Sequence, residues 1–211
     1  MRDLLDEVIA AHRDVSRRGS GDAEEIAVAV RRRYEAAVAD VWDAVTDPER
    51  LRRWFAPVTG DLRVGGTFQV EGNASGEVRE CDPPRALTVS WGGPESVVRV
   101  RLDADGTGTV LELEHSVPVA FAGSGAGALY VGPGWDAGVL GLARYLRGEP
   151  VDDPAAWENS LEGRRFSAAA IDAWVQAVGT TATADEVAAA AEAARAQFAP
   201  DVVTSQVDPA G

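Results

Sequence analysis

Lysine is absent from this 211-residue sequence: all 20 cationic side chains are arginine, set against 34 carboxylates, for a formal charge of −14. A field of that sign repels phosphate backbones and anionic bilayers, so neither nucleic acid nor a membrane is expected as a partner. Cysteine occurs once, at Cys81, which excludes an intramolecular disulfide and a cysteine-based zinc site. Its neighbours Glu80 and Asp82 oppose a thiolate, so the thiol reads as structural. Histidine occurs twice, at His12 and His115, in different segments and at no metal-pair spacing. There is no nucleophile elbow and no Walker loop. The run Gly123-Ser-Gly-Ala-Gly127 lacks the Lys-Ser/Thr ending of a phosphate cradle and reads instead as a mobile flap. No metal or cofactor is therefore expected. No apolar run approaches the roughly 20 residues of a membrane span. The first residues carry acids where a secretory leader carries cations, so a soluble, cytoplasmic chain is expected.

What the chain does have is apolar mass. Hydrophobic residues make up 45% of it and six are tryptophan, enough for a core with residues left to wall a cavity. Leu4, Leu5, Val8, Ile9 and His12 share a helical stripe, which predicts a helix over 3–13, and Arg17 to Asp22 follows as a flexible break. From Glu25 the period changes to two. Ile26, Val28, Val30, Arg32 and Tyr34 fall on one face of a strand, which puts an arginine on the core side. Val38, Val41, Trp42 and Val45 mark a short helix. A second begins at Thr46-Asp47-Pro48-Glu49, capped by Thr46 or by Asp47, with Leu51, Trp54 and Phe55 as its apolar side.

Strands follow: 62–71 with a bend at Gly65-Gly66, then 75–80, 86–91, 96–102 and 109–117. Turn signals at Asp82-Pro83-Pro84, Gly92-Gly93-Pro94 and Asp105-Gly106 separate the later ones and imply an antiparallel meander. Trp135, Val139, Leu142, Tyr145 and Leu146 form the stripe of a long helix that Gly148 and Pro150 end. Residues 149–211 carry 11 acids against three arginines and read as an acidic appendage. Two helices are predicted there, one with Phe166, Ala170, Trp174 and Val178 on its stripe and one opened by a capping box at Thr183, with a frayed end after Asp201. The expected organisation is an N-terminal helix and linker over 1–23, a domain over 24–148 and a helical extension over 149–211.

The run Val38-Ala-Asp-Val-Trp-Asp-Ala-Val-Thr-Asp-Pro-Glu-Arg-Leu-Arg-Arg-Trp-Phe55 resembles the signature of the SRPBCC (START-like) superfamily, in the branch named for the activator of heat-shock-protein-90 ATPase. The likeness continues through Val64-Gly-Gly-Thr-Phe68, Gly76 to Arg85, Ala86 to Trp91, Leu111 to His115 and Gly134-Trp135, in matching order and spacing. It implies an α+β helix-grip fold, a curved antiparallel β-sheet wrapped around a long C-terminal helix and enclosing a mainly apolar cavity. Relatives bind lipids, hormones or polyketides, some cyclise polyketides, and others act as co-chaperones. The Asn-rich, Trp-His-Trp type motif of true activators has no match in this chain.

Fold is not function, so the function must come from the site. The pocket candidates are Arg32, Trp54, Phe68, Val89, Trp91, Val100, Leu113, His115, Tyr130, Trp135, Val139 and Leu142. Unless a bulge turns it outward, Arg32 needs a partner, either a strand carboxylate such as Glu77 or Glu112 or a carboxylate or carbonyl on the ligand. His115 is either a satisfied core histidine or a hydrogen-bonding and proton-transfer group. Three functions are consistent with this sequence. The first is a binding module for an apolar or aromatic small molecule. The second is a polyketide cyclase or dehydratase-like enzyme using Arg32 and His115. The third is a co-chaperone or regulatory module that engages partners through the acidic extension, whose helices also offer a homodimer contact.

Overall fold

The computed structural model describes residues 4–149 and 153–202. Helix α1 (Leu4–Ile9) leads into β1 (Ala11–Arg18), and β2 (Glu25–Tyr34) returns beside it. Two short helices follow, α2 (Val38–Thr46) and α3 (Pro48–Leu51). Asp47 caps α3, its carboxylate accepting from the backbone N–H groups of Glu49 and Arg50. Six strands come next: β3 (Val58–Gly60), β4 (Thr67–Val70), β5 (Ser75–Asp82), β6 (Ala86–Ser90), β7 (Val97–Asp105) and β8 (Gly108–Pro118). A short α4 (Val119–Ala122) and a 3-10 turn over Gly125–Tyr130 lead to the long α5 (Gly132–Leu146). The extension holds α6 (Pro154–Glu158), α7 (Leu161–Val178) and α8 (Ala184–Phe198).

All eight strands form one antiparallel sheet in the order β1-β2-β8-β7-β6-β5-β4-β3. The meander from β3 to β8 thus closes onto β2, whose Val28 and Val30 pair with His115 and Leu113. Alternation sets the inward face. Ile26, Val28, Val30, Arg32 and Tyr34 of β2 are buried, as expected. Helix α5 lies in the grip of this sheet, and α7 packs on α5 and β1 with Phe166, Ile171 and Trp174 buried. The extension therefore covers the helical side of the same chain, and the apolar stripe of α7 is used within it.

Several sequence expectations are corrected. The helix expected over 3–13 ends at Ile9, because 11–18 pairs along the open edge of β2, from Ala11 opposite Arg32 to Arg18 opposite Glu25. Interstrand hydrogen bonds outweigh a helical stripe that lasts barely two turns, and its Leu5 and Ile9 are exposed. The expected break keeps only its turn, at Gly19 and Gly21, both with positive φ. The strand expected over 62–71 starts at Thr67, and Val58–Gly60 forms a strand that carries no periodic signal. Between them, the Gly65 N–H donates to Val78 O and the Val78 N–H to Gly66 O, a bulge that throws Leu62 and Val64 outward. Gly123–Gly127 is no flap: Ser124, Gly125 and Ala126 are buried, and the Gly125 N–H donates to Thr181 O ahead of α8. Pro150 and, past Val202, the frayed end expected after Asp201 lie outside the described residues.

Candidate functional site

Between the sheet and its helices is an apolar cavity with two lobes. The inner lobe, about 130 Å³, lies under α5, with Trp135, Gly138, Val139 and Leu142 above and Leu87, Val89, Val98, Val100, Leu111 and Leu113 of the sheet below. The outer lobe, about 140 Å³, lies under α2 and α3 and reaches Phe68, Val70 and Val78 of the sheet and 58–62. Val45, Leu51, Phe55, Leu87, Val89 and Trp91 line both, so the lobes share a wall. Each lobe alone is close to the roughly 150 Å³ apolar cavity known to accept benzene.

Local sequence places these walls. Strand alternation turns Leu87 and Val89 of β6 and Val98 and Val100 of β7 to the same side, while the i, i+4, i+7 spacing of Trp135, Val139 and Leu142 turns α5 to meet them. Aromatic rings line the seam: Trp91 stands 5.9 Å from Phe68 and 5.3 Å from Trp135, centroid to centroid. Gly141 lets Trp54 close on α5, since a Cβ there would come within 3.0 Å of Trp54 O. The Trp54 indole N–H donates to Ala44 O at 3.0 Å, which fixes its ring as wall.

Of the twelve pocket candidates, Trp54, Phe68, Val89, Trp91, Val100, Leu113, Trp135, Val139 and Leu142 line the cavity. The other three do not. Tyr130 is exposed at the end of the 3-10 turn. Arg32 is buried under α1, where it pairs with Glu7, a partner the helical reading of 3–13 could not bring to it. Arg147 reaches the other oxygen of Glu7 at 3.0 Å. The Arg32 guanidinium also stands 5.9 Å from the centre of the Tyr34 ring. Tyr34 in turn donates to Val139 O at 3.0 Å.

His115 stands behind the wall. Trp135 Nε1 donates to His115 Nδ1 at 3.2 Å, and His115 Nε2 lies 2.8 Å from Ser96 Oγ. An indole N–H can only donate, so Nδ1 is the acceptor and the neutral ring carries its proton on Nε2. His115 therefore donates to Ser96 and does not activate its hydroxyl. Burial pushes the imidazole down to about 4. In the sheet, His115 faces Val28 and Arg32 faces Leu111, four positions along β8 and thus about 13 Å at strand spacing. Arg32 is held by Glu7 and neither residue lines the cavity, so the two do not converge on one substrate site.

Sequence reasoning missed the outer lobe's contributions from Thr46, Pro48, Val58, Thr59, Gly60, Asp61 and Leu62. It also left Val45, Leu51, Phe55, Val70, Val78, Leu87, Val98, Leu111 and Gly138 off the cavity. The stripes and alternations contained most of the apolar members; 58–61, with no period, gave no signal.

A second buried polar cluster ties the N-terminus to the gripping helix. Arg13 forks onto Asp136 of α5, with both bonds at 2.8 Å, and the Trp174 indole donates to the same carboxylate at 2.7 Å. Asp136 and Trp135, about 100° apart around α5, thus point to different layers, one into the helical layer and one into the cavity.

The family model for activator of Hsp90 ATPase homolog 1-like protein matches residues 35–147. CalU16 from Micromonospora echinospora is 38% identical; its crystal structure covers 81% of this chain and 99% of that one with a TM-score of 0.66. The solution structure of the same protein gives 0.68, over 82% of this chain and 97% of that one. DynU16, a protein in the dynemicin biosynthetic locus, is 30% identical over 62% of this chain and 49% of that one, with a TM-score of 0.54. No curated protein matches the chain.

Proposed function

We propose, on the premise that this chain belongs to the activator of Hsp90 ATPase homolog 1-like family and has its START-like ligand-binding fold, that it takes up an apolar or aromatic small molecule between the sheet and α5. The observation that carries this reading is the two-lobed cavity itself, with Phe68, Trp91 and Trp135 along its seam. Pockets of this kind are mostly hydrophobic and aromatic, with few polar groups. The place of the relative DynU16 in a biosynthetic locus supports a natural-product ligand or intermediate over a structural lipid. Ring systems suit the seam because offset or tilted stacking adds about 0.5–1.5 kcal/mol per aromatic pair beyond the area buried.

Calorimetric titration with 2-naphthalenemethanol tests this. Saturable one-to-one binding with a negative heat-capacity change is expected, the mark of apolar burial. Leu113→Trp, which fills the inner lobe, should weaken binding at least about tenfold. Absence of saturable binding, or an unchanged affinity in a folded Leu113→Trp, overturns the reading.

A further inference from the structure

The two lobes differ in polarity. The side chains lining the inner lobe are aliphatic or aromatic, and two of its three indole N–H groups, those of Trp54 and Trp135, are already bonded, to Ala44 O and His115 Nδ1, which leaves Trp91 as the one side chain there with a polar hydrogen to offer. A polar ligand atom placed there would lose its water and find no side-chain acceptor and at most the Trp91 indole as donor, a penalty of about 1–3 kcal/mol on the scale of protein substitutions wherever it goes unpaired. The outer lobe is lined at one end by Thr46, Thr59, Gly60 and Asp61, of which Thr59, Gly60 and Asp61 are exposed, so that end is the mouth.

At the mouth the side chains of Thr46 and Asp61 present acceptors, while the Thr59 hydroxyl can donate or accept. Thr46 Oγ1 donates its own proton to Trp42 O at 2.7 Å, which leaves only lone pairs for a ligand. Asp61 is the sole ionisable side chain lining either lobe. Its salt bridge to Arg63 is 3.4 Å long with both partners about two-thirds exposed, a pair of little strength. The whole chain adds a negative field of −14.

Resting on the cavity reading above, we infer that the ligand is an amphiphile bound in one direction, with its apolar ring or chain in the inner lobe and an uncharged hydroxyl or a cationic amine at the Thr59–Asp61 mouth. Carboxylates and other anions of the same shape are rejected. No cation lines either lobe, and Arg63 next to the mouth is already offset by Asp61; an anionic head entering the inner lobe would give up its hydration for at most the Trp91 indole N–H.

The test compares three probes with one ring system at pH 7: 2-naphthylmethylamine, 2-naphthalenemethanol and 2-naphthoate, titrated calorimetrically into the full chain. The amine should equal or exceed the alcohol, and the carboxylate should bind at least about tenfold more weakly than either. Asp61→Asn should lower the amine's affinity about three- to fivefold and leave the alcohol unchanged, since it removes a partly screened charge and little else. Leu113→Phe, which narrows the inner lobe, should weaken the amine and the alcohol alike. If the alcohol binds but the carboxylate binds as well or better, or if Asp61→Asn leaves the amine unaffected, the polarity inference falls and the cavity reading stands. If none of the three binds, both fall together.

Discussion

Trp135 lines the cavity with its ring and donates its indole N–H, at 3.2 Å, to His115 Nδ1 behind the wall. The rings meet edge to face at 89°, with centroids 5.7 Å apart. One hydrogen bond thus fixes both the tautomer of the histidine and the pose of a cavity-wall tryptophan.

The pair makes stability pH-dependent. Burial holds His115 at about 4 when folded, against an ordinary value near 6.5. Between those values the unfolded chain binds the proton and the folded chain does not, so stability is full above about pH 6.5 and falls as pH drops toward 4. The loss expected is on the order of 3 kcal/mol at pH 4 and below. Urea unfolding of the parent and of His115→Gln, at pH 7 and pH 4.5, should show the larger fall in the parent. Equal falls would mean that His115 titrates normally.

Glu7 is the counter-charge for Arg32 and Arg147 at once. Glu7→Ala leaves the buried Arg32 unpaired and should cost about 3–5 kcal/mol in denaturant unfolding. Replacing the pair together, Glu7→Leu with Arg32→Met, should recover most of that loss, because the charge that needs compensation is gone. A double variant as unstable as Glu7→Ala would contradict the pairing.

Two glycines near the start of α5 should behave oppositely. A Cβ on Gly132 would come within 2.4 Å of the Trp174 ring, itself buried and bonded to Asp136. Gly132→Ala should therefore destabilise by about 1–3 kcal/mol through overpacking. A Cβ on Gly134 meets only the Phe198 ring edge, at 3.9 Å. Gly134→Ala should raise stability by up to about 1 kcal/mol through helix propensity. Thermal unfolding of the two variants is the check, and an equal effect would contradict the close contact at Trp174.

Much of this architecture was legible in the chain. Periods of two and of three to four gave β2, β5 to β8, α2, α5 and α7, a capping box at Thr183 gave α8, and the run Val38 to Phe55 gave the family resemblance. Nine of the twelve pocket candidates line the cavity because strand alternation and helical spacing say which side a residue faces. The misreadings have one physical source, which is pairing at a distance. Ala11–Arg18 becomes a strand only because β2 offers it an edge, and that pairing is what brings α1 and Glu7 over Arg32. His115 faces inward as its alternation indicates, but the indole of Trp135, 20 residues on, stands between it and the cavity. The mouth at 58–62 depends on a bulge across β5, which no local pattern encodes.

The position of a ligand inside the cavity is the most direct measurement. Crystals soaked with 6-bromo-2-naphthol should show anomalous bromine scattering in the inner lobe, among Trp135, Val100, Leu113 and Leu142, with the hydroxyl toward Thr59 and Asp61. Bromine found only on the outer surface, with the space between Trp91 and Trp135 unfilled at saturating probe, would contradict a ligand cavity in this fold.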